Sequence, residues 1–326
     1  MKKFIKIISI NLLLMVGLIF IVDVCAWGYQ NYLMHKNNER YIGVWPIKYH
    51  PGVKYFDIDL KYFPNPDENW GRAPEGLNYK KKKPIAIFGC SYAFGYELNK
   101  EQTISYKLAH KAKRPVYNRA VSAWGIQHML YSANQPLLYE QVPEPEYAMF
   151  IMMFDHPRRI YTRSFSPGHL LNEERYLRYK NFNGQLVQKT GIKGKSPISA
   201  IRKLVDRSYI TSVIHEAYVK NVLLSKKNSH KCVDFMVEHF IQSKNEMQKH
   251  WKNTKFIVLL YDQIDNQERF EEKLKANNIE FIELDKLVGT DLDTQEFKLE
   301  HDPHPSEKAW DLVSEKLIKE LKLWGN

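Results

Sequence analysis

The chain has 326 residues, and its 48 Lys+Arg against 37 Asp+Glu give a formal net charge of +11. With 44% hydrophobic and 26% charged residues and a mean hydropathy of −0.48, it is not a disordered chain, a collagen-like repeat or a protein that crosses a membrane many times. Aromatic residues at 13% can build a large core, whereas three cysteines are too few for a disulfide framework and fit no zinc ribbon.

Met1-Lys2-Lys3-Phe4-Ile5-Lys6 opens the chain, and Ile7 to Val22 follow with only Ser9, Asn11 and Gly17 interrupting the apolar run. A membrane-spanning helix needs roughly 20 such residues. No small-x-small cleavage site follows, and Trp27, Tyr29 and Tyr32 suit a membrane interface. Residues 1–27 read as an uncleaved signal anchor, with a cleaved signal peptide as the competitor. Lys2, Lys3 and Lys6 keep the N-terminus in the cytoplasm, so the remaining chain is expected outside it. Basic charge in that compartment points to anionic surfaces, such as lipid head groups or acidic glycans, and away from nucleic acid.

Residues 28–83 are rich in Tyr, Pro, Asn and Trp without a sustained period and read as an irregular segment packed on the domain. It ends in Lys80-Lys81-Lys82-Lys83, a solvated edge. From residue 84 short apolar runs alternate with helical spacing. Strands are predicted at 84–89, 116–118, 147–154, 255–261 and 279–284, and helices at 101–113, 127–138, 267–277 and 306–323. Such alternation predicts an α/β fold, a parallel five-stranded sheet with helices on both faces in three layers. Residues 157–254 break the rhythm and read as an insertion, with a polar stretch carrying Gly168, Gly184, Gly191 and Gly194 and helical patterns around 198–224 and 232–252.

The first strand runs into Gly89-Cys90-Ser91-Tyr92-Ala93-Phe94-Gly95. Ligands of open α/β sheets sit at the carboxyl ends of strands, where a serine on a turn can present both a hydroxyl and a free backbone N–H. Near the C-terminus, Glu300-His301-Asp302-Pro303-His304-Pro305-Ser306 reads as a loop kept non-helical by its prolines. His304 there could take the Ser91 proton, with a neighbouring carboxylate fixing its tautomer. Cys90 reads as a small buried residue, which argues against a bridge to Cys232.

In order along the chain, these motifs resemble the blocks of the SGNH (GDSL-like) hydrolase family. Gly89-Cys90-Ser91 with Phe94-Gly95 looks like the first block, Asn118-Arg119-Ala120-Val121-Ser122-Ala123-Trp124-Gly125 like the second, and Asp302-Pro303-His304-Pro305 like the last. The resemblance covers about residues 84–324 apart from the insertion. It implies a flavodoxin-like sheet, Ser91 as nucleophile, His304 as acid–base, Asp302 as its orienting partner, Gly125 as an oxyanion donor, and neither metal nor cofactor. The third block departs from the family pattern, because Phe154-Asp155-His156-Pro157-Arg158-Arg159 places Asp155 where an oxyanion-donating Asn is expected. A carboxylate donates only when protonated, which leaves three readings: Asp155 has a raised pKa, His156 donates instead, or Asp155 does something else. His156, Arg158 and Arg159 are candidates to bind substrate, the arginines through an anionic group.

The function implied is an esterase or O-acyltransferase acting on acyl, notably acetyl, esters of cell-envelope or lipid-linked glycans. A multi-span membrane acyltransferase could be its partner. The rival is a binding or assembly module on the same scaffold with little catalysis.

Overall fold

The computed structural model describes residues 72, 74–79, 82–122, 124–161, 217–225 and 228–323, four short strands at 39–48 and 179–188, and single positions within 11–25. Among the described residues no helix is long and apolar enough to cross a membrane. The span expected within residues 1–27 lies almost wholly outside them. The chain divides into two compact units, one of Met1–Val53, Phe165–Asn172 and Thr190–Tyr218, the other of Lys54–Ser164, Glu173–Lys189 and Val219–Asn326. The first contains the antiparallel pair β1 (Glu39–Ile42) and β2 (Trp45–Lys48). All that follows concerns the second.

Its centre is a five-stranded sheet of β3 (Ile85–Gly89), β4 (Val116–Asn118), β5 (Tyr147–Met152), β8 (Lys255–Leu260) and β9 (Glu280–Glu283). Every neighbouring pair is parallel and the spatial order is β4-β3-β5-β8-β9. Numbered among themselves the strands run 2-1-3-4-5, the flavodoxin-like order. β3, β4, β5 and β8 carry apolar residues on both faces, as a doubly covered sheet requires. Ile85, Ile87, Met149, Ile151, Ile257 and Leu259 face one layer; Ala86, Phe88, Phe150, Met152, Val258 and Leu260 face the other.

The first face is covered by α2 (Ile104–Ala112) and α9 (Glu307–Glu320), through Ile104, Leu108, Trp310, Val313 and Leu317. Thr103 and Ser306 cap their N-termini, each side-chain oxygen accepting a first-turn N–H at 3.4 Å. The second face is covered by α3 (Ile126–Ala133), α6 (Ser229–His250) and α7 (Gln267–Ala276), through Ile126, Met129, Met236, Phe240 and Phe270. Burying one side chain the size of Phe240 contributes about 1.5–3 kcal/mol.

The strand positions match the expected ones to within two residues, and four details differ. The helix expected over 127–138 is two, α3 and α4 (Pro136–Gln141), because Pro136 can open a helix but not continue one. A one-turn helix, α8 (Leu284–Val288), follows β9 and ends at Gly289, whose φ is +77°. The expected loop at 300–306 is half of a small antiparallel pair, β10 (Lys298–Leu299) with β11 (Asp302–Pro305). Finally, α6, inside the stretch 157–254, packs directly on the sheet between β5 and β8. The antiparallel pair β6 (Tyr179–Phe182) and β7 (Gln185–Gln188) precedes it, and the Leu186 N–H donates to Gln242 of α6 at 3.0 Å. Within the 28–83 segment, Glu75 pairs antiparallel with Val116, each N–H donating to the other's carbonyl at 2.9 Å, so this stretch runs along the edge strand β4.

Candidate active site

The turn after β3 is built around two glycines. Gly89 has φ +146°, and a Cβ there would sit 2.9 Å from both the Ala93 Cβ and the Ile151 carbonyl oxygen. Gly95 has φ +78°, and a Cβ there would meet Thr103 Cγ2 at 2.7 Å. Between them lies the single turn α1 (Ser91–Phe94), closed by Gly95 and Tyr96 N–H groups on the Ser91 carbonyl, both at 3.0 Å. Ser91 is the first residue of this turn, so its own N–H has no acceptor within the helix.

Two polar side chains hold the turn from outside. Asn118, at the end of β4 and fully buried, donates Nδ2 to the Ala93 carbonyl at 2.8 Å. Arg72, from the segment before the sheet, donates Nε to the Phe94 carbonyl at 2.6 Å and Nη2 to those of Gly95 and Leu98 at 2.8 and 3.0 Å. These carbonyls follow the C-terminal end of the turn, where a cation is favoured. The guanidinium also lies over the Phe94 ring, 4.6 Å from its centroid.

The β10–β11 pair delivers the second half of the site. His304 Nε2 lies 2.7 Å from Ser91 Oγ. Its Nδ1 meets Asp302 Oδ1, which also accepts the His304 backbone N–H at 2.8 Å. With the carboxylate on Nδ1–H, the lone pair is on Nε2, and the Ser91 hydroxyl donates to it. Burial would raise the Asp302 pKa, but hydrogen bonds from the His304 ring and backbone N–H outweigh that and hold it below the usual range. Two tyrosines pack around the imidazole, Tyr92 at 5.1 Å and Tyr96 at 4.9 Å between ring centroids. The Tyr92 hydroxyl donates to the Pro303 carbonyl at 3.1 Å, so the Ser91 turn and the histidine strand are tied together.

The other expected site residues are occupied elsewhere. Gly125 caps α3, and its N–H donates to His128 Nδ1 at 3.0 Å, so it is not aimed at an oxyanion. Asp155 accepts from Arg158 Nε and Nη2 at 2.5 and 2.8 Å and from Arg159 Nε at 2.8 Å. Burial would raise its pKa, yet the Arg158 hydrogen bonds and both guanidinium charges hold it down. Of the three readings, another role for Asp155 is the one its bonds fit, since both carboxylate oxygens accept from arginines. Arg159 also donates Nη1 to the Trp124 carbonyl at 2.9 Å, joining the end of β5 to the residue before the α3 cap. Both arginines thus donate to a carboxylate of the chain itself. His156, the first residue of α5 (His156–Tyr161), is wholly buried; its Nδ1 accepts the Met153 N–H at 3.1 Å, and burial, then the charge of Arg159, keep its pKa well below normal.

Four residues near the site went unassigned in the sequence. Arg72, Tyr92 and Tyr96 carry no motif that marks them. Asp262, just after β8, accepts the Phe154 N–H at 3.2 Å, and burial chiefly raises its pKa to about 7. Its position after a strand's carboxyl end was the signal available. Cys90 and Cys232 are both free and buried, in the cores on opposite faces of the sheet. Among the described residues no group of three or more His, Cys, Asp or Glu could hold a metal ion.

No protein-family model matches the chain, and no curated protein matches it. Solved structures similar to it include a G-D-S-L family lipolytic protein from Desulfitobacterium hafniense DCB-2, at 13% identity and a TM-score of 0.37 over 73% of this chain and 99% of that one. A lipolytic protein of the same family from Veillonella parvula DSM 2008 is 13% identical, with a TM-score of 0.39 over 73% and 98% of the two chains. The acetyl xylan esterase Est2A from Butyrivibrio proteoclasticus is 10% identical, with a TM-score of 0.42 over 74% of this chain and 65% of that longer one. These likenesses are distant in sequence and in superposition. The five-stranded parallel sheet, covered on both faces and ordered 2-1-3-4-5, is the architecture that the resemblance to SGNH hydrolases implied.

Proposed function

We propose that this chain is a serine hydrolase of the SGNH type, working through an acyl-Ser91 intermediate. The observation that carries the reading is the Ser91–His304–Asp302 relay, with 2.7 Å between Ser91 Oγ and His304 Nε2. Ser91 Oγ attacks the ester carbonyl as its proton passes to Nε2. Asp302, kept ionised, stabilises the imidazolium that forms. His304 then returns the proton to the leaving alcohol. The Ser91 N–H, unpaired within its helix, supports the oxyanion. In the second half-reaction water makes the protein an esterase, and a sugar hydroxyl makes it an O-acyltransferase. The basic, apolar N-terminus supports a membrane-anchored protein whose domain faces away from the cytoplasm. Acyl esters of envelope or lipid-linked glycans are then the substrate class, with a multi-span acyltransferase as partner.

Fluorophosphonate labelling tests the chemistry. Wild-type protein should be labelled at Ser91, and Ser91→Ala should not. Acyl release into water compared with transfer to added oligosaccharide then separates esterase from transferase. The rival reading, a glycan-binding module, is favoured by the engaged Gly125 N–H and the arginine-held Asp155, which leave the oxyanion short of two expected donors. Absence of labelling at Ser91 in folded protein would select it.

A further inference from the structure

Arg119 lies directly after β4, at the carboxyl edge of the sheet, and the chemistry above does not use it. Its backbone N–H donates to the Ile87 carbonyl at 2.7 Å, and the Val121 N–H to that of Gly89 at 3.3 Å, so residues 119–121 run beside the residues that lead into Ser91. Asn118 fastens the same stretch to the nucleophile turn, accepting the Ala120 N–H while donating to Ala93. Residues alternate across a strand. Asn118 faces α2, where Nδ2 is 3.3 Å from Ser105 Oγ, so Arg119 falls with Tyr117 on the α3 side.

The residue is buried (6% exposed), and its Nε and Nη2 have no hydrogen-bond partner. Burial lowers its pKa to about 10, with no carboxylate to offset the loss. The other buried arginines are answered: Arg114 by Glu146 at 2.7 Å, Arg159 by Asp155. A guanidinium stays charged at any working pH, and a buried charge without a counter-charge is destabilising. Nε and Nη2 form one edge of the guanidinium plane, the edge that grips two oxygens of a carboxylate or phosphate in parallel.

We propose that Arg119 binds an anionic oxygen group of the substrate, a carboxylate or a phosphate, at the carboxyl end of β4. The word substrate rests on the function proposed above; the anion site itself does not. The anion supplies the buried charge that the fold omits, so an acidic sugar or an acidic acyl group fits better than a neutral ester.

The test uses the full chain, with inorganic phosphate and acetate as separate probes against chloride at equal ionic strength. Wild-type Tm should rise saturably with one probe or both, and which probe works tells phosphate from carboxylate; Arg119→Gln should show no such rise. Without either probe, Arg119→Gln should melt at or above wild type, since the charge it removes has no partner. A Tm lower by more than about 5 °C would assign Arg119 to structure and overturn the proposal, as would equal probe responses in the two proteins. The preference in kcat/KM for a 4-nitrophenyl hemisuccinate over the acetate should fall at least about tenfold in Arg119→Gln. If neither ester turns over and Ser91 resists labelling, the hydrolase reading fails while the Tm arms still decide the anion site.

Discussion

Two neighbouring strand ends on the sheet's carboxyl edge use polar residues in opposite ways. At the end of β3, Ser91, His304 and Asp302 converge so that each bond leaves the next group more reactive, and the chain ends in a hydroxyl polarised by an imidazole. At the end of β5, Asp155, Arg158, Arg159 and His156 bond to one another and to the backbone. Both clusters contain the residue types expected of catalysis. What separates them is where the last hydrogen bond goes, and only the β3 cluster ends on a serine hydroxyl.

The sharpest break of this comparison is Ser91→Ala. Loss of the nucleophile should cut ester turnover by about 10⁵-fold or more and abolish fluorophosphonate labelling. Asp302→Asn should cost about 10⁴-fold in kcat by favouring the wrong tautomer, with the Tm nearly unchanged. At the other strand end the expected loss is in stability. Asp155→Ala leaves Arg159 buried without its partner and should cost about 3 kcal/mol in denaturant unfolding. Because the Asp155 pKa is depressed in the fold, its contribution is complete above the unfolded value of about 3.9 and vanishes as pH falls through the lower folded one. Labelling of Ser91 in the folded fraction of this variant should persist.

Smaller effects refine the picture. His128→Ala releases the Gly125 N–H and should cost about 1 kcal/mol as a lost helix cap, with the labelling rate changed less than about threefold. A tenfold rise would mean that the freed amide can reach the oxyanion after all. Asp262 has the opposite sign to Asp155. Its folded pKa is raised to about 7, by burial first and by Asp293 and Asp285 next, so the fold holds a proton that the unfolded chain releases. Stability should therefore decline as pH rises from about 4 to about 7, and Asp262→Asn should flatten that slope in a pH series of melting curves. Glu97, raised to about 7 by burial and by Asp302, adds to the same slope and remains in the variant.

Much of the layered sheet was legible because burial on two faces demands short apolar runs, which β3, β5 and β8 supply. Pro136 could have been read as a helix break, and Asn183-Gly184, between β6 and β7, is a hairpin dipeptide hidden among other glycines. The hairpin that carries His304 was less accessible, since Asp302-Pro303-His304-Pro305 has no strand-like alternation. Ser91 and His304 stood out because flanking glycines and prolines restrict the backbone that presents them. Asp155 and the arginines could be named but not assigned, because residue type does not disclose which partner a side chain will take. Tyr92 and Arg72 act across 211 and 22 positions respectively, and nothing local announces such bonds.

The three bonds from Arg72 carry a practical lesson for anyone trimming the gene. A fragment begun at the first sheet strand would look whole by its alternating pattern. It would nevertheless leave three carbonyls at the exit of the reactive turn without the cation that now gathers them. Expression boundaries for this domain belong upstream of residue 72, since the activity of a shortened version would report on the missing brace as much as on the chemistry.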